Sequence, residues 1–271
     1  MKKNSFKGFL MIVLIGLLGL IAACGGSGSG TGGGKEKLEV VTDAAYAPFE
    51  SMDGETIVGF DVDFLDAVMK EAGYDFELKN IGWDPLFAAI QGETADLGIS
   101  AITINDDRKQ TYDFSVPYFE SRNMILVPEG SDIKSAEDLV GKVVAVQNGT
   151  TGQEAVEGLL GQNHDDIKKF DNNVLAIMEL LKGGADAVVA DNSVVQAYVK
   201  NNPDKKLVTI ADEDSFDPEF YGLMFPKGSE LKADFDKAIK AVIEDGTYSK
   251  VYKEWFGEEP NLKTLKAQLE Q

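Results

Sequence analysis

The chain has 271 residues, 44% hydrophobic and 27% charged, with a formal net charge of −20. That length suits one large domain or two modest ones with true cores, and that charge argues against nucleic-acid binding, which needs a basic face. A single cysteine, Cys24, and a single histidine, His164, exclude a disulfide, a thiolate metal site and any catalytic triad that does not use His164.

Lys2, Lys3 and Lys7 precede an uncharged apolar run from Phe9 to Ala23. The run is short for a membrane span and has the anatomy of a signal peptide. It ends Leu20-Ile21-Ala22-Ala23-Cys24, which resembles a bacterial lipobox. That resemblance implies a signal peptide over 1–23, cleavage before Cys24 and lipidation of its sulfur. Two acyl chains on a diacylglyceryl group anchor stably where one does not. Without the signal the charge becomes −23, which steers a cationic ligand or simply keeps the surface soluble. Gly25–Gly34 reads GGSGSGTGGG, so 24–37 is expected to be a flexible tether.

Folded sequence is expected from Leu38. Candidate strands are Leu38–Thr42, Phe76–Asn80, Leu97–Ala101, Met124–Val127, Lys142–Val146, Ala187–Ala190, Leu207–Ile210 and Gly222–Phe225. Helical patterns lie between most of them. In Asp61–Ala72, Phe64, Leu65, Val68, Met69 and Ala72 share one face and Gly73 supplies the stop. Ser229–Glu244, Thr247–Phe256 and Asn261–Gln271 read as three helices with no strand between them. The alternation predicts an α/β fold with largely parallel sheets.

Ligands of open α/β sheets bind beyond the carboxyl ends of strands. The residues there are Asp43 and Tyr46; Trp83, ahead of a helix expected to be capped by Asp84 with Pro85 first; Thr103 and Arg108; Gln147, Thr150 and Thr151; and Asp191. His164 lies in Gly161-Gln162-Asn163-His164-Asp165-Asp166, which reads as a loop and not as a catalytic or metal centre. The set suits a zwitterion. Arg108 can grip a carboxylate with two bonds, the Asn148–Gly152 loop offers N–H groups at a helix start, and Asp191 can hold an ammonium. Singly, each has an ordinary reading as a solvated residue, a turn, a cap or core packing. Their shared placement at strand ends carries the inference.

Gly59-Phe60-Asp61-Val62-Asp63-Phe64, Ile102-Thr103-Ile104-Asn105-Asp106-Asp107-Arg108-Lys109, Gly141-Lys142-Val143-Val144-Ala145-Val146, Ala185-Asp186-Ala187-Val188 and Tyr248 through Trp255-Phe256-Gly257 resemble the polar amino-acid family of ABC solute-binding proteins. The likeness runs from Leu38 to Pro260. It is nearest to arginine/lysine/histidine-binding lipoproteins through Asn80–Phe87 and Gln147–Glu154. It implies a two-lobed type II fold, two mainly parallel sheets flanked by helices and joined by hinge strands near Tyr118–Asn123 and Glu219–Leu223. Lobe one would hold 38–118 and 222–271, and lobe two 119–221. It further implies that Arg108, Thr103 and Thr151 hold the ligand carboxylate, and that Asp191 and the Ala101 carbonyl hold the ammonium. Tyr46 and Trp83 would sandwich the side chain, with Asp43 and Ser100 at its far end.

Two aromatic faces and Asp43 favour a cation. Glutamine binders of the family often carry lysine where this chain has Gln147, so the expected ligand is arginine, then lysine or histidine, with glutamine as the alternative. The resemblance implies a monomer without cofactor or metal, handing a free L-amino acid to an ABC permease and lipid-anchored outside a Gram-positive cell membrane. A dehydratase-like enzyme and a sensor domain also use this fold. The first needs an acid or base over the substrate, and the second needs a membrane helix after Phe256. A soft-metal binder lacks ligands.

Overall fold

The computed structural model describes residues 37–270. The expected signal peptide, Cys24 and the tether as far as residue 36 lie outside the described residues. The chain opens with β1 (Leu38–Thr42) and a small antiparallel sheet of β2 (Ala45–Tyr46), β3 (Glu50–Asp53) and β4 (Thr56–Val58). Helix α1 (Phe60–Ala72), β5 (Phe76–Asn80), α2 (Trp83–Gln91), β6 (Leu97–Gly98), α3 (Arg108–Thr111) and β7 (Tyr112–Phe114) follow. The long β8 (Phe119–Pro128) leads to β9 (Val144–Gln147), α4 (Thr151–Leu160), β10 (Ile167–Phe170), α5 (Asn173–Leu181), β11 (Ala187–Asp191), α6 (Asn192–Asn201) and β12 (Leu207–Ile210). After β13 (Pro218–Tyr221) and β14 (Met224–Pro226) come α7 (Leu231–Glu244), α8 (Thr247–Phe256) and α9 (Leu262–Leu269).

Two larger sheets organise these elements, one ordered β5-β1-β6-β14-β7 and the other β10-β9-β11-β8-β12. In each, β1 or β9 pairs parallel with its two neighbours, whereas β14 and β8 pair antiparallel with theirs. The sheets are therefore mixed, which corrects the expectation of mainly parallel ones. The cause is topological: β8 and β14 enter their sheets straight from a crossing, with no helix to restore strand direction. The crossings pair with each other, Phe119 opposite Tyr221 and Arg122 opposite Pro218. They form a two-stranded joint where the hinge is expected.

Helices cover both faces of each sheet. Phe60, Phe64, Phe235, Ile239 and Tyr248 of α1, α7 and α8 pack on one face of the first sheet, and Leu86 and Ile90 of α2 on the other. The second sheet takes Val156 of α4 with Ile133 and Leu139 on one face, and Ala176, Ile177, Leu180 and Val195 of α5 and α6 on the other. Each such valine, leucine, isoleucine or phenylalanine, fully buried, contributes roughly 1.5–3 kcal/mol. Burial on both faces explains the unbroken apolar runs Val144–Val146 and Ala187–Ala190.

Local signals set the helix ends. Gly73 closes α1 at φ 75° and donates to Met69 O. Thr150 caps α4, its side chain accepting from Gln153 N. Helix α2 begins earlier than expected: Gly82 stands at its N-cap, so Asp84 is not the cap and Pro85 is not the first helical residue. Strand β6 is shorter than the expected Leu97–Ala101 because Ala101 turns out of the sheet with φ 47°.

Candidate functional site

Ten of the eleven residues expected around a ligand line one cavity: Tyr46, Trp83, Ser100, Ala101, Thr103 and Arg108 from the chain before β8, and Gln147, Thr150, Thr151 and Asp191 from the chain after it. It is a narrow crevice of about 260 Å³, part of which is open to solvent. The eleventh, Asp43, follows β1 and accepts a hydrogen bond from Gln147 Nε2 at 3.2 Å. Asn173 Nδ2 donates to Gln147 Oε1 at 3.0 Å and so fixes the amide's direction.

The residues contributed before β8 rest on two buried acids that sequence reasoning missed. Asp43 N–H donates to Ser100 Oγ at 3.2 Å, and Ser100 Oγ donates to Glu50 Oε1 at 2.8 Å. Ala101 N–H donates to Asp61 Oδ2 at 2.8 Å, and the Tyr118 hydroxyl binds the same carboxylate. A left-handed alanine costs roughly 1–2 kcal/mol, and the Asp61 bond stabilises it. Burial raises both acids, Asp61 to about 6 and Glu50 well above the carboxylate range, with repulsion from Asp61 adding to the latter.

Arg108 opens α3 and is buried. Its Nη1 donates to Thr103 O at 2.9 Å and its Nη2 to Gly149 O at 3.2 Å. Its Cζ lies 5.4 Å from the Trp83 ring centroid and 5.2 Å from that of Phe87. Trp83 thus holds the guanidinium as well as lining the cavity. Burial lowers the Arg108 pKa, opposed by Glu154, Glu219 and Asp191; a guanidinium stays charged all the same. Gly149 sits at φ 72°, and a Cβ there would come within 3.3 Å of Trp83 Nε1, which itself donates to Gly149 O. Thr150 and Thr151, at the cavity wall, mark the N-terminus of α4, whose dipole favours an anion.

Asp191 ends β11 in the N-cap position of α6, yet it makes no capping bond. It accepts instead from the hydroxyl of Tyr221; burial raises its pKa, and the nearby hydroxyls of Tyr221 and Tyr46 oppose the rise. Glu219 on β13 is the other missed residue. Its Oε2 accepts from Thr103 Oγ1 at 2.7 Å and Thr151 Oγ1 at 2.8 Å, and its Oε1 from Asn123 Nδ2 at 2.7 Å. Burial, then the charge of Asp191, pushes it up to about 7. Its one visible signal was an acid within the expected crossing Glu219–Leu223.

His164 sits between α4 and β10, where its Nδ1 accepts from Asp166 N–H. Among the described residues no group of three or more His, Cys, Asp or Glu side chains is placed to hold a metal ion. The cavity thus brings together opposite charges, Arg108 with the N-terminus of α4 and Asp191, while Asp43 accepts from one of its lining residues, Gln147.

The family described as bacterial extracellular solute-binding proteins, family 3, matches residues 38–258. The chain is similar to the arginine-, lysine-, histidine-binding protein ArtJ of Geobacillus stearothermophilus, with 61% identity and a TM-score of 0.84 over 85% of this chain and 100% of that one. It is similar to the probable histidine-binding protein of Neisseria gonorrhoeae, 41% identical over 249 residues, 88% of this chain and 91% of that one. It is also similar to the arginine-binding extracellular protein ArtP of Bacillus subtilis, 34% identical over 252 residues, 92% of this chain and 98% of that one.

Proposed function

Because the chain belongs to the bacterial extracellular solute-binding proteins of family 3, we propose that it captures a basic L-amino acid for an ABC importer, arginine first, then lysine and histidine. One observation carries this: Arg108 and Asp191, from different lobes, line the same cavity. The ligand carboxylate lies on Arg108, Thr103, Thr151 and the loop at Thr150. Its ammonium lies on Asp191 and the Ala101 carbonyl. Its stem passes Tyr46 and Trp83 toward Ser100, Asp43 and Gln147. The lobes, 38–118 with 222–271 and 119–221, close about β8 and β13.

Family 3 proteins act outside the cell membrane. The Lys-rich start, the apolar run and Cys24 support a signal peptide over 1–23 and a lipid anchor on the tether, in a Gram-positive cell. We assign no catalysis. Relatives named for binding arginine and histidine support a carrier, which we propose to be monomeric and to hand its ligand on to a permease. Glutamine is the second reading. The neutral Gln147 beside Asp43 favours a cation over it.

Calorimetric titration of the folded protein with each proteinogenic amino acid tests the assignment. Micromolar or tighter arginine binding is expected. Tight glutamine binding without arginine binding overturns the ligand class, and no binding at all overturns the role.

A further inference from the structure

The threonine hydroxyls expected to receive a ligand carboxylate are already committed. Thr103 Oγ1 and Thr151 Oγ1 both donate to Glu219 Oε2. A hydroxyl has one proton to give. While Glu219 is an anion it holds both protons, and the threonines turn only lone pairs to the cavity. These two residues are a partition: they line the cavity on one side and, on the other, an outer groove with Glu154, Asp217 and Glu219.

We propose that Glu219 is a positioning residue whose protonation releases Thr103 and Thr151 to the ligand, so that binding an amino-acid carboxylate takes up one proton. The proposal rests on the amino-acid-binding reading above. The balance is simple. Glu219 gains a proton from solvent and donates it to one threonine oxygen, and both threonine protons turn to the ligand carboxylate. No other group changes charge. Glu219 is half-buried and faces the outer groove, so its proton reaches it without crossing the ligand cavity.

The surroundings leave Glu219 poised. Asp191 on β11 and Glu154 on α4 favour the protonated form, as does burial, while Arg108 on α3 and the two threonines oppose it. The N-terminus of α4 also favours the anion. Tyr46 on β2, raised by burial, stays neutral. The carboxyl titrates at about 7. A bound carboxylate places a second anion across the partition and claims the shared protons. The ligand's ammonium relieves Asp191, but it acts at second hand, whereas the hydroxyl exchange is direct and sets the sign. Affinity therefore falls as pH rises above about 7, by up to about tenfold per unit.

Titrating the folded protein with arginine at about pH 7.5, in two buffers of different ionisation enthalpy, reads the proton directly. Uptake of a large fraction of a proton per arginine is expected in wild type. Agmatine, which keeps the guanidinium and lacks the carboxylate, should take up none. Glu219→Gln, whose amide donates as the protonated acid does, should bind arginine without uptake and with a flat pH profile. Arginine binding with zero or negative uptake, equal uptake with agmatine, or uptake surviving in Glu219→Gln each overturns the proton link and leaves the binding reading standing. Failure of arginine to bind at every pH removes that reading instead.

Discussion

Gln147 reaches from the end of β9 to Asp43, just past the end of β1, and holds its carboxylate with a neutral donor. The contact joins the ends of strands from the two larger sheets and leaves an acid without a full countercharge. Burial raises the Asp43 pKa, and the Gln147 bond opposes this.

The charge that Asp43 offers should be read by the ligand's side chain. Asp43→Ala is expected to weaken arginine by about 2–3 kcal/mol, tens to hundreds of fold, and its neutral isostere citrulline far less. Equal losses for both, measured by calorimetry, would remove Asp43 from the specificity end. Gln147→Lys puts an ammonium against the same acid and should cost arginine at least about tenfold.

Arg108 should act on every ligand alike. Arg108→Ala is expected to cost about 2–5 kcal/mol with each amino acid tested, since it removes the cation and leaves the Thr103 and Gly149 carbonyls without their donor. Arg108→Lys keeps the charge without the fork and should fall between. A ligand that binds Arg108→Ala normally would show that its carboxylate lies elsewhere.

Gly59 tests packing independently of binding. At φ 153° it brings its Cα so close to β3 that a Cβ would lie 1.8 Å from Phe49 O. Gly59→Ala should lower stability by about 2 kcal/mol or more in urea melts. Wild-type affinity is expected in whatever fraction folds.

The buried pair below the cavity predicts a pH dependence of stability. Asp61 is raised to about 6 by burial, against about 4 in an unfolded chain. The folded state thus binds the proton more tightly, so this group's contribution is greatest at low pH and is lost as pH rises from about 4 through about 6. The stability difference between wild type and Asp61→Asn, which cannot titrate, should shrink in that window and stay flat above it. A difference that grows with pH would reverse the assignment.

Sequence periodicity reached β1, β5, β12, α1 and α8 with close bounds, because each has an apolar face of ordinary length. It missed β2, β3, β4, β7 and β10, which are two to four residues long, and β13 was expected only through the resemblance, as the crossing near Glu219–Leu223. Strand-end reading found the residues that the chain itself presents to the cavity. It could not find Glu50, Asp61 and Glu219, which act through other residues. Their partners lie 116 residues away for Glu219 with Thr103, and 50 for Glu50 with Ser100. No local pattern encodes such distances.

Glu219 and Tyr221 stand two apart on β13, so they project to the same side of the strand. One answers to the threonines and the other to Asp191. If the ligand lies as proposed, β13 is linked through other residues to both of its charged groups. Substitutions on this strand would then alter affinity and selectivity together without a direct contact.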